Sequence, residues 1–206
     1  MMTRLRAWGL LLVVSLCAAT AWAGTIDTGF LEQPWPKQWV HTYEIGKSQV
    51  RWREKASRTE GIFAGAEFVA PTTLQKTWDL ANDYTDVGRK TPGVTAVRFL
   101  EQTPIRQVIQ IDVKILWKTL TLTFEVEQDP PNAIRFRLVN REIGEYLGVS
   151  SMRAEGEHTR MELATWLRPA VQVPSGLILM AERAVLLKGI HNFLRTSERA
   201  ARPSPT

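Results

Sequence analysis

The chain has 206 residues, 44% of them hydrophobic and 23% charged, a balance that excludes wholesale disorder and suits one domain with a sizeable core. Its single cysteine, Cys17, excludes a disulfide scaffold and a cysteine-ligated zinc site, and three histidines leave little material for a metal centre. Lys and Arg outnumber Asp and Glu by 26 to 21, and the meaning of that +5 charge depends on where the mature chain begins.

Residues 1–6 carry Arg4 and Arg6 and no acid, residues 7–20 are nearly all apolar, and Ala21-Trp22-Ala23 precedes Gly24. This is the pattern of a secretory signal with its cleavage site. The apolar run is shorter than the ~20 residues that span a bilayer as a helix. Residues 1–23 are therefore expected to be removed, leaving the protein periplasmic or secreted. Cleavage near Ala23 removes the lone cysteine and two positive charges, so the remaining chain is only mildly basic and suits an oxidising compartment.

Residues 24–46 read as an irregular extension, with Pro34-Trp35-Pro36 and Trp39 pinning it onto the domain. Residues 49–56 and 62–70 read as strands separated by a turn. Pro71 introduces Thr72 and Thr73, either of which can cap a helix that places Leu74, Trp78 and Ala81 on one face. Residues 84–93 form a short second helix or ordered loop. The hydrophobic period then falls from 3.6 to 2. Strands are expected at 94–102, 105–117, 120–127, 134–138, 146–155 and 159–168, a spacing of roughly 10–13 residues that indicates an antiparallel meander. Asp112, Glu125, Glu127, Arg135 and Arg137 fall opposite their strands' apolar residues and are expected to be solvated. After Pro169 and Pro174, Ser175 can cap a helix over 176–200, with Leu177, Met180, Ala181, Ala184, Leu187, His191 and Leu194 as its apolar stripe. At about 1.5 Å per residue this helix is nearly 40 Å long. Residues 201–206 read as a flexible tail.

A one-sided apolar sheet must be covered, and the terminal helix is the one element long enough to do it. The expected fold is α+β: a helix-grip fold, a curved antiparallel sheet of about six to eight strands wrapped around a long C-terminal helix. The order of elements over 47–200, together with Ala70-Pro71, Thr77-Trp78-Asp79-Leu80, Asp83-Tyr84 and Pro92-Gly93-Val94, resembles the START-like or SRPBCC superfamily. That group includes lipid-transfer START domains, polyketide cyclases, coenzyme Q-binding proteins and the birch-pollen allergen family. Where many relatives carry a Trp shortly before the proline, this chain has Arg89-Lys90-Thr91.

The chain lacks a phosphate-binding glycine loop, a G-x-S-x-G elbow, an H-E-x-x-H helix and a C-x-x-C pair. No catalytic residue, metal ligand or cofactor is assigned. Nothing in the charge pattern marks a nucleic-acid partner, whereas transient contact with an anionic membrane surface needs only a few placed cations. The oligomeric state is left open. The expected function is an exported domain that binds or carries a hydrophobic small molecule, a lipid, sterol-like compound or quinone, between sheet and helix. The alternatives are a cyclase- or dehydratase-like enzyme and an interaction module with a filled cavity. Cavity candidates are Trp78, Tyr84, Ile111, Val113, Leu122, Phe124, Phe136, Met161, Leu163, Met180, Ala184, Leu187 and His191. Met161 and Met180 would adapt to irregular ligands. His191 would orient a ligand head or exchange a proton, or else sit at the rim with a single hydrogen bond.

Overall fold

A computed structural model of the protein describes residues 25–33, 41–57, 59–91, 93–115, 118–140, 143–170 and 173–202. The expected signal, Trp35, Trp39 and the last four residues lie outside the described residues. Nine strands follow the chain as β1 (His41–Ile45), β2 (Ser48–Ser57), β3 (Gly61–Ala70), β4 (Val94–Gln102), β5 (Arg106–Ile115), β6 (Lys118–Asp129), β7 (Ala133–Leu138), β8 (Gly144–Glu155) and β9 (His158–Pro169). Helices α1 (Leu74–Ala81) and α2 (Tyr84–Lys90) join β3 to β4, and α3 (Ser175–Ala200) closes the chain. All nine strands form one antiparallel sheet, ordered β1-β2-β3-β9-β8-β7-β6-β5-β4. This is the helix-grip fold. The ninth strand comes from the extension: β1 lies in a segment expected to be irregular, because a short edge strand such as His41-Thr42-Tyr43-Glu44-Ile45 carries no strong apolar alternation.

Cross-strand partners share a face. One row runs Trp52, Ala66, Leu163, Ser150, Ile134, Gln128 across β2, β3, β9, β8, β7 and β6. This face meets α3 and holds the main core, in which Val50, Trp52 and Ala66 are buried together with Ile190 and Leu194 of the helix. The Phe68 and Phe193 rings meet edge-on at 6.2 Å. At the β3–α1 junction, Thr73 takes the N-cap position without a side-chain cap, and the Thr72 carbonyl instead accepts from Thr159 (2.8 Å) and Thr77 (3.3 Å). Asp83 does cap α2, accepting from the Asp86 amide at 2.9 Å.

The opposite face is not simply wet. Leu31 packs there on Val149, Ala164 and Trp166, and Phe30 stands edge-on to Phe63 and Trp166 at 6.1 and 5.9 Å. The Ile26 amide donates to Glu127 (2.9 Å), and Arg135 Nε donates to Glu32 (2.9 Å). Two residues along β6, Glu125 is fully buried, receiving Arg137 Nε at 2.6 Å, while Arg106 Nη2 stands 2.7 Å from its other oxygen, off the hydrogen-bonding angle. The expectation of solvated Glu125, Glu127, Arg135 and Arg137 is thus corrected. The alternation is as read, but residues 25–33 cover part of this face and the arginine stems close over Glu125.

Replacing Leu31 by Ala is expected to cost about 2 kcal/mol, the lower end for emptying a buried leucine site. Urea denaturation measures that loss, and limited proteolysis should show faster cleavage within 25–33 while the nine-stranded body stays protected.

Candidate functional site

Helix α3 crosses the concave face without filling it. Between its second half, α2 and the sheet lies a cavity of about 320 Å³. Phe68, Ile134, Phe136, Ser150, Met161 and Leu163 form its floor; Leu80, Ala81 and Tyr84 line the α1–α2 side; Val185, Leu186, Gly189, Ile190 and Phe193 line the α3 side. Polar groups gather at one edge: Asp86, Lys90, Thr91, Asn192 and Thr196. There Lys90 pairs with Asp86 and donates to Thr196 Oγ1 (2.9 Å), and Asn192 donates to the Lys90 carbonyl (2.6 Å). These bonds hold α2 against α3.

Tyr84 borders the cavity with its hydroxyl donating to Asn82 Oδ1 at 3.3 Å, an oxygen that the Gln128 amide also reaches. Burial pushes the Tyr84 phenol up to about 12, only partly offset by Gln128, so it remains a neutral donor at ordinary pH.

Outside the cavity lining, one helical turn before Leu186, a carboxyl group sits under the helix. Glu182 Oε1 accepts from Tyr146 (2.8 Å) and from Thr165 (2.9 Å). Burial raises the Glu182 carboxyl above its ordinary range, against the lowering effect of the two hydroxyls. Burial also raises the Tyr146 phenol, and the Glu182 charge adds to it. The neighbouring Arg183 turns to Glu54 on β2 instead.

Of the residues expected to line a cavity, Tyr84, Phe136, Met161 and Leu163 do so. Trp78 is buried in the core, with Ile111, Phe124 and Leu187 packed partly buried against it. Val113 and Leu122 are half-buried on the β5–β6 part of the sheet, away from the cavity lining. Three placements on α3 are corrected. Met180 (63% exposed) and Ala184 face outward, and His191 is half-buried but does not line the cavity. Helix α3 is apolar around most of its circumference between 177 and 190, so the period alone allows more than one inward stripe. The stripe read from sequence avoided charges. The inward one runs through Glu182, Leu186, Ile190, Phe193 and Ser197, because Glu182 and Arg183 find partners on the sheet. Sequence reading also passed over Phe68, Ile134 and the Lys90–Asn192–Thr196 edge; the Asp86/Lys90 spacing of four was the available signal. Among the described residues no group of three His, Cys, Asp or Glu is placed to hold a metal ion, and no helix is long and apolar enough to cross a membrane.

Residues 71–194 match the model of the family described as polyketide cyclase / dehydrase and lipid transport. No curated protein matches the sequence. Among solved structures, the STAR-related lipid transfer protein from Xanthomonas axonopodis superposes with a TM-score of 0.56 at 14% identity, covering 79% of this chain and 98% of that one. The Zhui aromatase/cyclase from a Streptomyces species gives 0.56 at 16% identity, over 74% and 96%. A Thermus thermophilus protein gives 0.55 at 19%, over 68% and 96%. With more than half of its length under the family model, on a helix-grip fold with an apolar cavity, the chain belongs to the polyketide cyclase / dehydrase and lipid transport family, within the START-like superfamily.

The raised Glu182 carboxyl has a stability consequence with a definite sign. Its folded form holds a proton that the unfolded chain releases at lower pH, so its contribution is full below the ordinary carboxyl range and is lost as pH rises through the raised value. Denaturation midpoints of wild type and Glu182→Gln, taken from about pH 4 to pH 8, should show the wild type losing ground to the variant as pH rises.

Proposed function

We propose that this protein is an exported carrier that binds a hydrophobic small molecule in the cavity between the sheet and α3. The carrying observation is the cavity itself: about 320 Å³, apolar on floor and walls, with polar side chains confined to one edge. That volume lies at the small end of the range usual for small-molecule sites. Removing an apolar ligand from water yields ~25 cal/mol per Å² buried, so such a lining binds without many polar contacts. The polar groups at the cavity edge are engaged with one another, Lys90 with Asp86 and Thr196, and Asn192 with Lys90, while Tyr84 is engaged with Asn82. That favours carriage over turnover. The family is described by both lipid transport and cyclase or dehydrase chemistry, and a lipid, sterol-like compound or quinone suits this lining.

Gly189 offers a direct test. It lines the cavity from the middle of α3, and a Cβ added there meets nothing within 4 Å. Gly189→Phe is expected to occupy cavity space and lower the affinity for a fluorescent fatty-acid or sterol probe by at least about tenfold. Replacing a mid-helix glycine should hold or raise stability, by about 0.5–1 kcal/mol. Unchanged probe binding in a folded variant would remove the cavity as the binding site.

Export is tested on the protein produced in a bacterial host. The expected species is periplasmic and begins at Gly24, as read by intact mass; a full-length cytoplasmic product would contradict it. Exposed Leu177 and Met180 on the outer side of α3 give this carrier an apolar surface suited to transient contact with a bilayer.

A further inference from the structure

The outer face of α3 sorts its side chains by kind along the helix. At about 100° per residue, Leu177, Met180, Ala181 and Ala184 share one arc, roughly 100° wide, with Lys188, Arg195 and Arg199. All of these residues are exposed, Leu177 at 54% and Met180 at 63%. The arc is therefore apolar over about its first two turns and cationic over about the next three. Among the described residues, the side chains of Lys188, Arg195 and Arg199 form no ion pair or hydrogen bond. The helix has two acids, and neither offsets these charges closely. Glu182 turns inward to Tyr146 and Thr165, and Glu198, at the margin of the arc, is half-buried beside the Gly46 turn.

This face adjoins the mouth of the cavity. Val185 and Gly189 line the cavity and are nevertheless exposed, Val185 at 51%, so the cavity reaches the surface along the flank of α3 nearer α2. That flank lies about a quarter turn from the arc. A second exposed apolar patch, Phe99, Leu100 and Ile105 on the β4–β5 hairpin, is built differently. Its arginines are already paired, Arg98 with Asp112 and Arg106 with Glu101 and Glu125. Phe99 rests against Tyr84, with 6.3 Å between ring centres.

We propose that the outer face of α3 docks on a bilayer containing anionic lipids, with Leu177 and Met180 entering the headgroup boundary and Lys188, Arg195 and Arg199 lying over the headgroups. This rests on the carrier reading and names the surface at which such a carrier exchanges its ligand. The order of side chains decides the partner. Protein interfaces are depleted of lysine and of unpaired charge at their centres. A nucleic acid rewards the cations but offers nothing to Leu177 and Met180. A bilayer takes both, apolar side chains at the acyl boundary and cations among anionic headgroups. The aliphatic stems of the lysine and arginines lie along the same boundary. With the helix flat on the membrane, the mouth beside Val185 and Gly189 opens next to the lipid surface.

The test is co-sedimentation of the purified protein with sucrose-loaded vesicles, made either of phosphatidylcholine alone or of an equal mixture with phosphatidylglycerol. Wild type should prefer the anionic vesicles, and the preference should fall as salt is added. Lys188→Gln, Arg195→Gln and Arg199→Gln together should lower partition into the anionic vesicles by roughly a hundredfold, about fivefold per cation. Leu177→Ser with Met180→Ser should lower it by about tenfold. Both leucine and methionine are exposed, so the melting temperature of that variant should match wild type. Leu100→Ser with Ile105→Ser should bind as wild type does. Equal wild-type binding to the two vesicle types overturns the inference. Loss of binding in the hairpin variant, with the α3 variants binding normally, overturns it as well. So does a dimer in sedimentation velocity that the Leu177/Met180 variant dissociates, which assigns the strip to a second copy of this chain. A fluorescent fatty-acid probe, measured without vesicles, separates docking from carriage. A wild type that binds the probe and ignores both vesicles overturns docking alone; one that binds neither overturns both readings.

Discussion

One helix cannot cover this sheet, and the rest of the structure follows from that mismatch. Nine strands about 4.8 Å apart make a sheet roughly 40 Å wide, whereas a helix with its side chains is about 10 Å across. Curvature brings the flanks inward, and α1 and α2 cover part of what remains. The space left between α2, α3 and the floor strands is the cavity. It is a geometric residue of gripping, not an insertion into a filled core. Its lining is apolar because those floor positions belong to the same alternating face that builds the core beside it. Phe68 and Ile134 serve both.

The rotation of α3 about its axis decides which side chains reach that space. Apolar content does not decide it, since Leu177, Met180 and Ala184 could have faced the sheet as well as Leu186 and Ile190. The deciding terms are polar. Glu182 and Arg183 are adjacent and both find partners on the concave side, at Tyr146 and Thr165 for one and at Glu54 for the other. Hydrogen bonds to charged or partly desolvated groups are worth about 1.5–3 kcal/mol when made and cost at least as much when a buried partner is left without them. Turning the helix by one residue would orphan both. The helix therefore presents Gly189 and Phe193 to the cavity and leaves an apolar strip outside.

This is also where sequence reading reaches its end. Strand periodicity located all eight strands from β2 to β9 within two residues at either end, because one face of each is consistently apolar. The helix-grip order followed from that and from the length of the last helix. A helix apolar on most sides carries no such unique phase, so its pattern alone puts Met180 and Ala184 on the inward stripe. Likewise, the alternation of Glu125 and Glu127 with Phe124 and Val126 correctly separates two faces, yet nothing local announces that residues 25–33 lie over the second. Both errors concern contacts between segments far apart in the chain. Pattern assigns a side chain to a face; it does not say what that face meets.

The surroundings of the cavity differ in how firmly they are held. In the core beside the cavity Trp52, Ile190 and Leu194 are almost wholly buried, and truncating any of them would leave a void costing about 2–5 kcal/mol. At the polar edge α2 and α3 are joined by the Lys90 bond to Thr196 and by Asn192 on the Lys90 carbonyl, while Lys90 also pairs with Asp86 of its own helix. The Lys90–Asp86 pair lies within one helix at spacing four, with both side chains more than a third exposed, and such pairs contribute about 0.3–0.5 kcal/mol. Separating α2 from α3 thus breaks two cross-helix hydrogen bonds and little buried apolar area, while parting α3 from β2 and β3 would open the core. Local opening follows the weakest cooperative unit. The edge of the cavity that opens at least cost is therefore the one beside Lys90 and Asn192, with the sheet and the rest of the grip left undisturbed.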